Sequence, residues 1–272
     1  MTPRFARRAV LAAIVAASIL VTPSLGPGAR AQGGETDAPI IAAASDLQFA
    51  LAALAAGFEA DTGLSVKPTF GSSGNFARQI RQGAPYQMFL SADEDYVLDL
   101  ARDGFTRDKG ALYALGRIVI IAPRGSALIP DAALDDLAAA LQDGRLTRFA
   151  IANPEHAPYG KRAEEALRHR GLWAAIKPRL VLGENVGQAA QFATSANTQG
   201  GIIAYALALA PRVSALGSFA LIPAAWHSPL RQRMVLLKNA GLVARRFYDY
   251  LRQAPARALL RQYGFVPPGE TN

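Results

Sequence analysis

Apolar residues follow two patterns along the chain. Short continuous runs predict buried strands, and stretches in which apolar residues recur every three or four positions predict amphipathic helices. The predicted strands are 40–44, 64–70, 88–91, 118–123, 149–152, 180–182, 201–207 and 234–237. The predicted helices begin near Leu47, Ser73 and Glu94 and then cover 132–141, 161–169, 186–196, 242–251 and 255–263. Strands that alternate with helices favour an α/β protein with largely parallel sheets.

The order of these elements predicts two lobes joined by strands, with a ligand between them. Each lobe is expected to be a mostly parallel sheet flanked by helices, because no Gly/Ser linker or shift of composition separates the lobes. Lobe 1 is predicted to contain 39–115 plus 219–270, and lobe 2 to contain 116–218. The chain is expected to cross between them near Gly116 and again between Ser218 and Met234.

The first 31 residues are predicted to be a cleaved signal peptide. Arg4, Arg7 and Arg8 form a basic head, 9–20 is apolar apart from one serine, and Ala29-Arg30-Ala31 fits a cleavage site. The apolar run is too short for a typical membrane span. The sequence has no cysteine, so an anchor attached to a lipidated cysteine is not expected. We therefore expect export to a bacterial periplasm.

The charge and the cysteine content of the chain argue against nucleic-acid binding and against sites built from cysteine. The net charge of +8 falls to +4 when the four arginines of 1–31 are removed, since that segment has no acidic residue. Arginine-rich spots such as Arg168-His169-Arg170 lie on predicted helices without interleaved aromatic residues, which argues against nucleic-acid binding. The absence of cysteine also excludes disulfides and thiolate metal sites.

Four predicted strands end in turns of small residues that each start a helix. These turns are Ala42-Ala43-Ala44-Ser45, Gly71-Ser72-Ser73-Gly74, Ala157-Pro158-Tyr159-Gly160 and Glu184-Asn185-Val186-Gly187. A helix start presents free N–H groups and the positive end of the helix dipole, which favour an anion without a cation. No turn carries a lysine or arginine. The pattern predicts one anion held between the two lobes.

The turns and several further stretches resemble, in order, those of periplasmic molybdate-binding proteins, which are receptor subunits of ATP-driven molybdate importers. The matching stretches span nearly the whole chain after 31: Ala42-Ala43-Ala44-Ser45-Asp46, Phe70-Gly71-Ser72-Ser73-Gly74-Asn75-Phe76-Ala77-Arg78-Gln79-Ile80, Gln82-Gly83-Ala84-Pro85-Tyr86, Phe89-Leu90-Ser91-Ala92-Asp93, Asn153-Pro154-Glu155-His156-Ala157-Pro158-Tyr159-Gly160, Glu184-Asn185-Val186-Gly187-Gln188-Ala189 and Tyr263-Gly264-Phe265.

This resemblance implies a type II periplasmic binding protein that captures molybdate, and also tungstate, and delivers it to the permease of an ABC importer. It implies that Ser45 and Ser73 bind the oxyanion through hydroxyl and backbone groups, and that Tyr159 and Val186 bind it through backbone N–H groups. A monomer without catalytic residues, cofactor or free metal ion is expected. In the strand where some members place a tyrosine ligand, this chain has Ala204, and Tyr205 is expected to face away.

Ala44 likewise stands where some members have a hydroxyl residue.

The same residues are also compatible with other roles and other ligands. Ser45 and Ser73 can instead be helix N-caps. Another tetrahedral oxyanion such as sulfate is a second candidate. Protonated phosphate is less favoured, because it benefits from a carboxylate acceptor.

A secreted hydrolase on a similar fold is a third candidate, but the sequence shows no nucleophile–base pair. Asn75 stands two residues after Ser73, at the position where the G-x-S-x-G pattern of a nucleophile elbow requires glycine. The three histidines do not have metal-ligand spacing, and each is expected to be structural or solvated. Among the nearby acidic residues, Asp93 is expected to cap a helix, whereas Asp46, Glu94 and Asp95 are expected to be exposed.

Overall fold

The structure is a computed structural model that describes residues 38–269, so the predicted signal peptide at 1–31 lies outside the described residues. Its strands are β1 (Ile40–Ala44), β2 (Lys67–Gly71), β3 (Met88–Ser91), β4 (Ala111–Gly116), β5 (Ile118–Pro123), β6 (Phe149–Ala152), β7 (Leu180–Gly183), β8 (Gly200–Ala204), β9 (Gly217–Leu221) and β10 (Leu230–Leu236).

The helices include three single turns that connect longer elements. They are α1 (Gln48–Thr62), α2 (Ser73–Arg81), α3 (Glu94–Arg102), α4 (Asp135–Gln142), α5 (Pro158–His169), α6 (Trp173–Ile176), α7 (Val186–Ala193), α8 (Tyr205–Ala208), α9 (Pro211–Ser214), α10 (Leu242–Leu251) and α11 (Ala254–Gln262). A 3₁₀ turn, Ser45–Leu47, joins β1 to α1. Within the described residues, no helix is long and apolar enough to cross a membrane.

The strands form two five-stranded sheets. The first has the order β2-β1-β3-β10-β4 and the second the order β7-β6-β8-β5-β9. In the first sheet β10 is antiparallel to both of its neighbours, and in the second β5 is antiparallel to both of its neighbours. The other four strands of each sheet therefore share one direction. The predicted fold of mostly parallel sheets flanked by helices is confirmed, with one reversed strand in each sheet.

The chain passes between the sheets where the sequence predicts crossings. β4 ends at Gly116 and β5 begins at Ile118, so Arg117 alone separates strands of the two sheets. The chain returns between β9 and β10. β9 continues to Leu221, three residues past the predicted boundary at 218. The division into 39–115 plus 219–270 and 116–218 stays a prediction.

Several predicted elements differ from the structure in extent. β4 and β9 were not predicted, because both contain glycine and are only partly buried, without a regular alternation of buried and exposed residues. The predicted strand 201–207 ends at Ala204, where α8 begins. α5 begins at Pro158, three residues before the predicted start. Proline suits the first helical turn, because its fixed φ is helical and its missing N–H would have no acceptor there.

Buried apolar side chains cover both faces of each sheet. On one face of the first sheet, Phe58 of α1 packs edge-on against Phe247 of α10, with ring centroids 5.1 Å apart. On the other face, Phe76 of α2 packs against Phe89 of β3. Full burial of a side chain of this size is worth about 1.5–3 kcal/mol. This packing holds the helices against the strand ends from which they start.

The start of α5 lies unusually close to the end of β6. A Cβ placed on Gly160 would be 2.1 Å from the carbonyl oxygen of Ala152. Only glycine permits this approach of backbone to backbone. The contact fixes the first turn of α5, and with it the N–H of Tyr159, against the carboxyl end of the second sheet.

Candidate functional site

The four helix-starting turns meet at one cavity, and all four predicted ligand residues, Ser45, Ser73, Tyr159 and Val186, line it. The complete lining is Ala44, Ser45, Asp46, Gly71, Ser72, Ser73, Ala92, Ala157, Pro158, Tyr159 and Val186. The cavity is small, about 10 Å³, so the surrounding donors lie close together. Its lining contains residues from both sheets and, among the residues that the structure describes, neither lysine nor arginine.

The two predicted serine ligands each accept one backbone hydrogen bond beside the cavity. The Ser45 Oγ accepts a hydrogen bond from the Gly187 N–H at 3.0 Å, and the Ser73 Oγ accepts one from the Ala92 N–H at 3.0 Å. Ser45 is 3% and Ser73 0% exposed. A hydroxyl has one hydrogen to donate. Each oxygen therefore uses one acceptor position for a backbone N–H, and its single hydrogen can still be donated to an anion in the cavity.

The N-cap interpretation of Ser45 and Ser73 is wrong. Ser72 caps α2, since its Oγ accepts the Asn75 N–H at 3.4 Å, and Ser73 is the first helical residue. Ala44 occupies the cap position of the 3₁₀ turn that contains Ser45. Neither predicted ligand uses its hydroxyl to satisfy its own helix. Both hydroxyls remain available to a ligand.

Backbone donors complete the set. Ser73, Tyr159 and Val186 are the first or second residues of α2, α5 and α7. N–H groups at these positions have no acceptor within their own helix, and the helix dipole adds partial positive charge. Asn185 caps α7 through the Gln188 N–H at 3.0 Å and leaves the Val186 N–H free of that interaction. The cavity is therefore a cluster of neutral donors suited to an anion.

A buried polar network lies beside these donors. The Tyr159 hydroxyl donates to Asp46 Oδ2 at 2.9 Å, and Gln232 Nε2 donates to the same oxygen at 2.6 Å. Gln232 Nε2 also donates to the Tyr159 oxygen at 3.0 Å, and the Tyr113 hydroxyl donates to Gln232 Oε1 at 2.7 Å. Tyr159 thus contributes a side chain anchored across the cleft as well as a backbone N–H.

Asp46 is not exposed, and the prediction of its exposure is wrong. It is 1% exposed, because the 3₁₀ turn directs it into the contact between the two sheets. Burial raises its pKa to about 6, against the opposing effect of the hydrogen bonds from Gln232 and Tyr159. Its Oδ1 is buried without a hydrogen-bond partner. Asp46 is therefore harder to ionise than an exposed aspartate.

The other acidic residues divide differently from the prediction. Asp93 caps α3 as predicted, accepting the Asp95 N–H at 3.1 Å, and Asp95 is exposed. The predicted exposure of Glu94 is wrong, since its side chain is 16% exposed and pairs with Arg231 and Arg233. Both arginines lie on β10, far from Glu94 in the sequence, so the ion pairs could not be predicted from residue spacing.

The family of the chain follows from its similarity to known proteins. The model of a family described as bacterial extracellular solute-binding protein matches residues 40–266. The chain belongs to this family. The molybdate-binding protein ModA of Rhodobacter capsulatus is 32% identical over 89% of this chain and 92% of that protein. The ModA of Escherichia coli is 32% identical over 82% of this chain and 87% of that protein.

Solved structures give the same assignment. The Azotobacter vinelandii periplasmic molybdate-binding protein has a TM-score of 0.76 and 31% identity, covering 85% of this chain and 99% of that chain. The Mycobacterium tuberculosis sulfate-binding protein SubI has a TM-score of 0.69 with 16% identity, covering 85% of this chain and 87% of that chain. The second likeness concerns the fold alone. The resemblance expected from the sequence motifs is confirmed.

In this solute-binding protein a second row of polar contacts crosses the cleft near its rim. His156 Nδ1 lies 3.0 Å from Ser72 Oγ, and His156 Nε2 lies 3.5 Å from Glu184 Oε2. The Gly74 N–H donates to the His156 carbonyl at 3.0 Å. Ser72 is occupied as the cap of α2, so the row connects α2 to the turn before α5. Sequence reasoning missed it, although His156 lies within one of the family-like stretches.

The structure of this solute-binding protein also shows where Ala44, Ala204 and Tyr205 lie, the positions that received no ligand role from the sequence. Tyr205 is the first residue of α8 and packs edge-on against Phe219, with ring centroids 6.0 Å apart. It is outside the cavity lining, as is Ala204. Ala44 lines the cavity without a hydroxyl. Among the described residues, no group of three or more potential ligands could hold a metal ion.

Proposed function

We propose that this solute-binding protein captures molybdate outside the cytoplasm, and tungstate as well, and delivers it to the permease of an ABC importer. One observation carries the proposal: two buried serine hydroxyls that each accept a backbone N–H line the same cavity as the starts of three helices. The names of the ModA relatives support the choice of oxyanion. Ser45, Ser73, Tyr159 and Val186 are the proposed ligands.

Neutral donors suit a protein that must both hold and release a dianion. Each N–H or O–H donor to a charged acceptor is worth about 1.5–3 kcal/mol. Several such bonds, less the costs of desolvation and closure, support sub-micromolar affinity (about −8 kcal/mol or more favourable). Ser45 and Ser73 lie on one side of the cleft and Tyr159 and Val186 on the other, so separating the two sides removes about half of the bonds at once. Since the proposed ligands include no cation, no salt bridge to the anion has to be broken.

The location and partners of the protein complete the proposal. A signal peptide at 1–31 is cleaved, and the remaining chain acts in the periplasm as a monomer without a lipid anchor. It binds the oxyanion and the membrane permease, and it requires no cofactor, no free metal ion and no catalytic residue. Membership of the extracellular solute-binding family supports this assignment.

Titration calorimetry of residues 32–272 with molybdate, tungstate, sulfate and phosphate tests the function. We expect one molybdate per chain, comparable binding of tungstate, and weaker binding of sulfate, because a larger oxyanion meets donors on both sides of the cleft at once. Binding of two ions per chain, or no heat with molybdate at micromolar protein, would refute the proposal.

A protonated oxyanion such as hydrogen phosphate is the second candidate, and Asp46 is the observation that favours it. Phosphate recognition benefits from an acceptor, and Asp46 lines the cavity with a buried Oδ1 that has no hydrogen-bond partner. The phosphate arm of the titration decides between the two: phosphate binding tighter than molybdate binding would replace the leading proposal.

A further inference from the structure

Two aspartates follow adjacent strands of the first sheet. Asp46 comes directly after β1 in the 3₁₀ turn, and Asp93 comes after β3 as the cap of α3. β1 and β3 are parallel neighbours, with Ala43 opposite Leu90. Their carboxyl ends therefore lie side by side, and the two carboxylates stand at the same edge of the sheet.

One helix of the second sheet supplies a donor to each carboxylate. Tyr159 and Arg162 are three residues apart on α5, which places them on one face of the helix. The Tyr159 hydroxyl donates to Asp46 Oδ2 at 2.9 Å, and Arg162 Nη2 donates to Asp93 Oδ2 at 3.1 Å. We call these two contacts the α5 clamp.

The α5 clamp is buried and otherwise well supported. Arg162 is 5% and Tyr159 3% exposed. Arg162 Nη1 also bonds Glu165 at 2.9 Å, and Glu165 in turn accepts the Ser228 N–H at 2.7 Å. Gln232 fixes the Asp46 side of the clamp from β10. A buried ion pair or a buried hydrogen bond to a carboxylate is costly to break on one side only.

The clamp determines where the first turn of α5 stands relative to the first sheet. The Tyr159 N–H belongs to that turn, whereas Ser45 and Ser73 belong to the first sheet. A shift of α5 by about 1 Å would take the N–H beyond hydrogen-bond distance of an anion held by the serines. The residues that prevent this shift do not themselves need to contact the anion.

We propose that Asp46 and Asp93 are positioning residues of the anion site, which dock α5 through Tyr159 and Arg162 so that the Tyr159 N–H reaches an anion bound by Ser45 and Ser73. The inference rests on the proposed oxyanion-binding function. It assigns the aspartates an effect on affinity although they carry the same sign of charge as the ligand.

The test is a double-mutant cycle read by calorimetry with molybdate. Tyr159→Phe and Asp46→Ala each remove one partner of the first contact, and each is expected to weaken binding about tenfold or more. Because Asp46 acts through Tyr159, the double variant should lose no more affinity than the weaker-binding single variant. Additive losses would overturn the positioning role of Asp46.

The second contact is tested with Arg162→Met and Asp93→Asn by stopped-flow measurement of the association and dissociation rates of molybdate. The expected signature is faster dissociation of molybdate with an association rate within about threefold of the wild type. Glu164→Gln is the matched control, because Glu164 pairs with Arg168 on the same helix without crossing the cleft. Its affinity should stay within twofold of the wild type.

The outcomes separate the inference from the function on which it rests. A wild-type protein that binds none of the four oxyanions refutes the proposed function. A wild-type protein that binds molybdate, together with folded Tyr159→Phe and Asp93→Asn variants that bind it equally well, refutes the positioning role alone. If Asp93→Asn does not fold, as judged by circular dichroism, the Tyr159→Phe and Asp46→Ala cycle decides.

Discussion

Replacing Ser73 with alanine separates the contribution of one hydroxyl to the ligand from its contribution to the fold. Ser73 is fully buried at the start of α2, and its Oγ accepts the Ala92 N–H at 3.0 Å. Under the proposed function, the Ser73 hydroxyl donates its hydrogen to the anion. Alanine removes both interactions while retaining the Ser73 backbone N–H and the helix, whose cap is Ser72.

The two losses have different magnitudes and appear in different measurements. Loss of a donor to a charged acceptor should weaken molybdate binding by about 1.5–3 kcal/mol, or about 10- to 150-fold. Loss of the acceptor leaves the Ala92 N–H buried without its partner, which should lower the free energy of unfolding of the anion-free protein by about 1–3 kcal/mol. No further loss is expected from capping.

Calorimetry with molybdate measures the first effect, and urea unfolding without anion measures the second. Ser126→Ala is the matched control, because Ser126 Oγ likewise accepts a backbone N–H, that of Leu128 at 3.1 Å, but lies outside the cavity lining. It should lose stability and retain affinity. A Ser73→Ala variant with wild-type affinity would show that the Ser73 hydroxyl does not donate a hydrogen bond to the anion.

Three further predictions concern the same cavity. Asp46 keeps its proton to about pH 6 when folded, against 3.8 ordinarily, so stability should fall by about 2 kcal/mol as pH rises from 4 to 6. Urea midpoints across that range should lose this slope in Asp46→Asn, and an unchanged slope would exclude Asp46 as its source. Gly74→Ala places a Cβ 2.7 Å from the His156 carbonyl oxygen across the cleft, so it should weaken molybdate binding in calorimetry without loss of helix in circular dichroism; unchanged affinity would show that this contact yields freely. Molybdate at a hundred times its dissociation constant should raise the free energy of unfolding by about 2.7 kcal/mol, and calorimetric binding without any rise in the melting temperature would contradict binding to the folded state alone.

The fold was largely predictable because its local signals agree with one another. Apolar runs such as Ile118–Pro123 match a buried strand at both ends. Gly63, whose φ of +68° suits glycine, ends α1. β4 and β9 escaped prediction because buried and partly exposed residues follow one another irregularly along them and give neither period clearly. Those strands are defined by pairing with distant neighbours, which local patterns do not contain.

The site was predictable to the extent that it is made of backbone. Helix-starting turns reveal N–H donors through small residues alone, so Ser45, Ser73, Tyr159 and Val186 were brought together correctly, although their role as ligands stays a proposal. The roles of Asp46 and His156 were missed, because they depend on partners 113 and 84 residues away. Sequence spacing holds no information about which side chains meet across a cleft.

The division between neutral donors and charged groups has a physical consequence for release. The proposed ligands contain no charge, whereas Asp46, Asp93 and Arg162, which are charged or ionisable, join α5 to the first sheet. The charges of Arg162 and Asp93 largely cancel, so the ion pair adds little to the electrostatic field at the anion. Strong closure and weak individual ligand bonds are therefore compatible. Under the proposals above, a partner that separates α5 from the first sheet would release the anion without having to break any salt bridge to it.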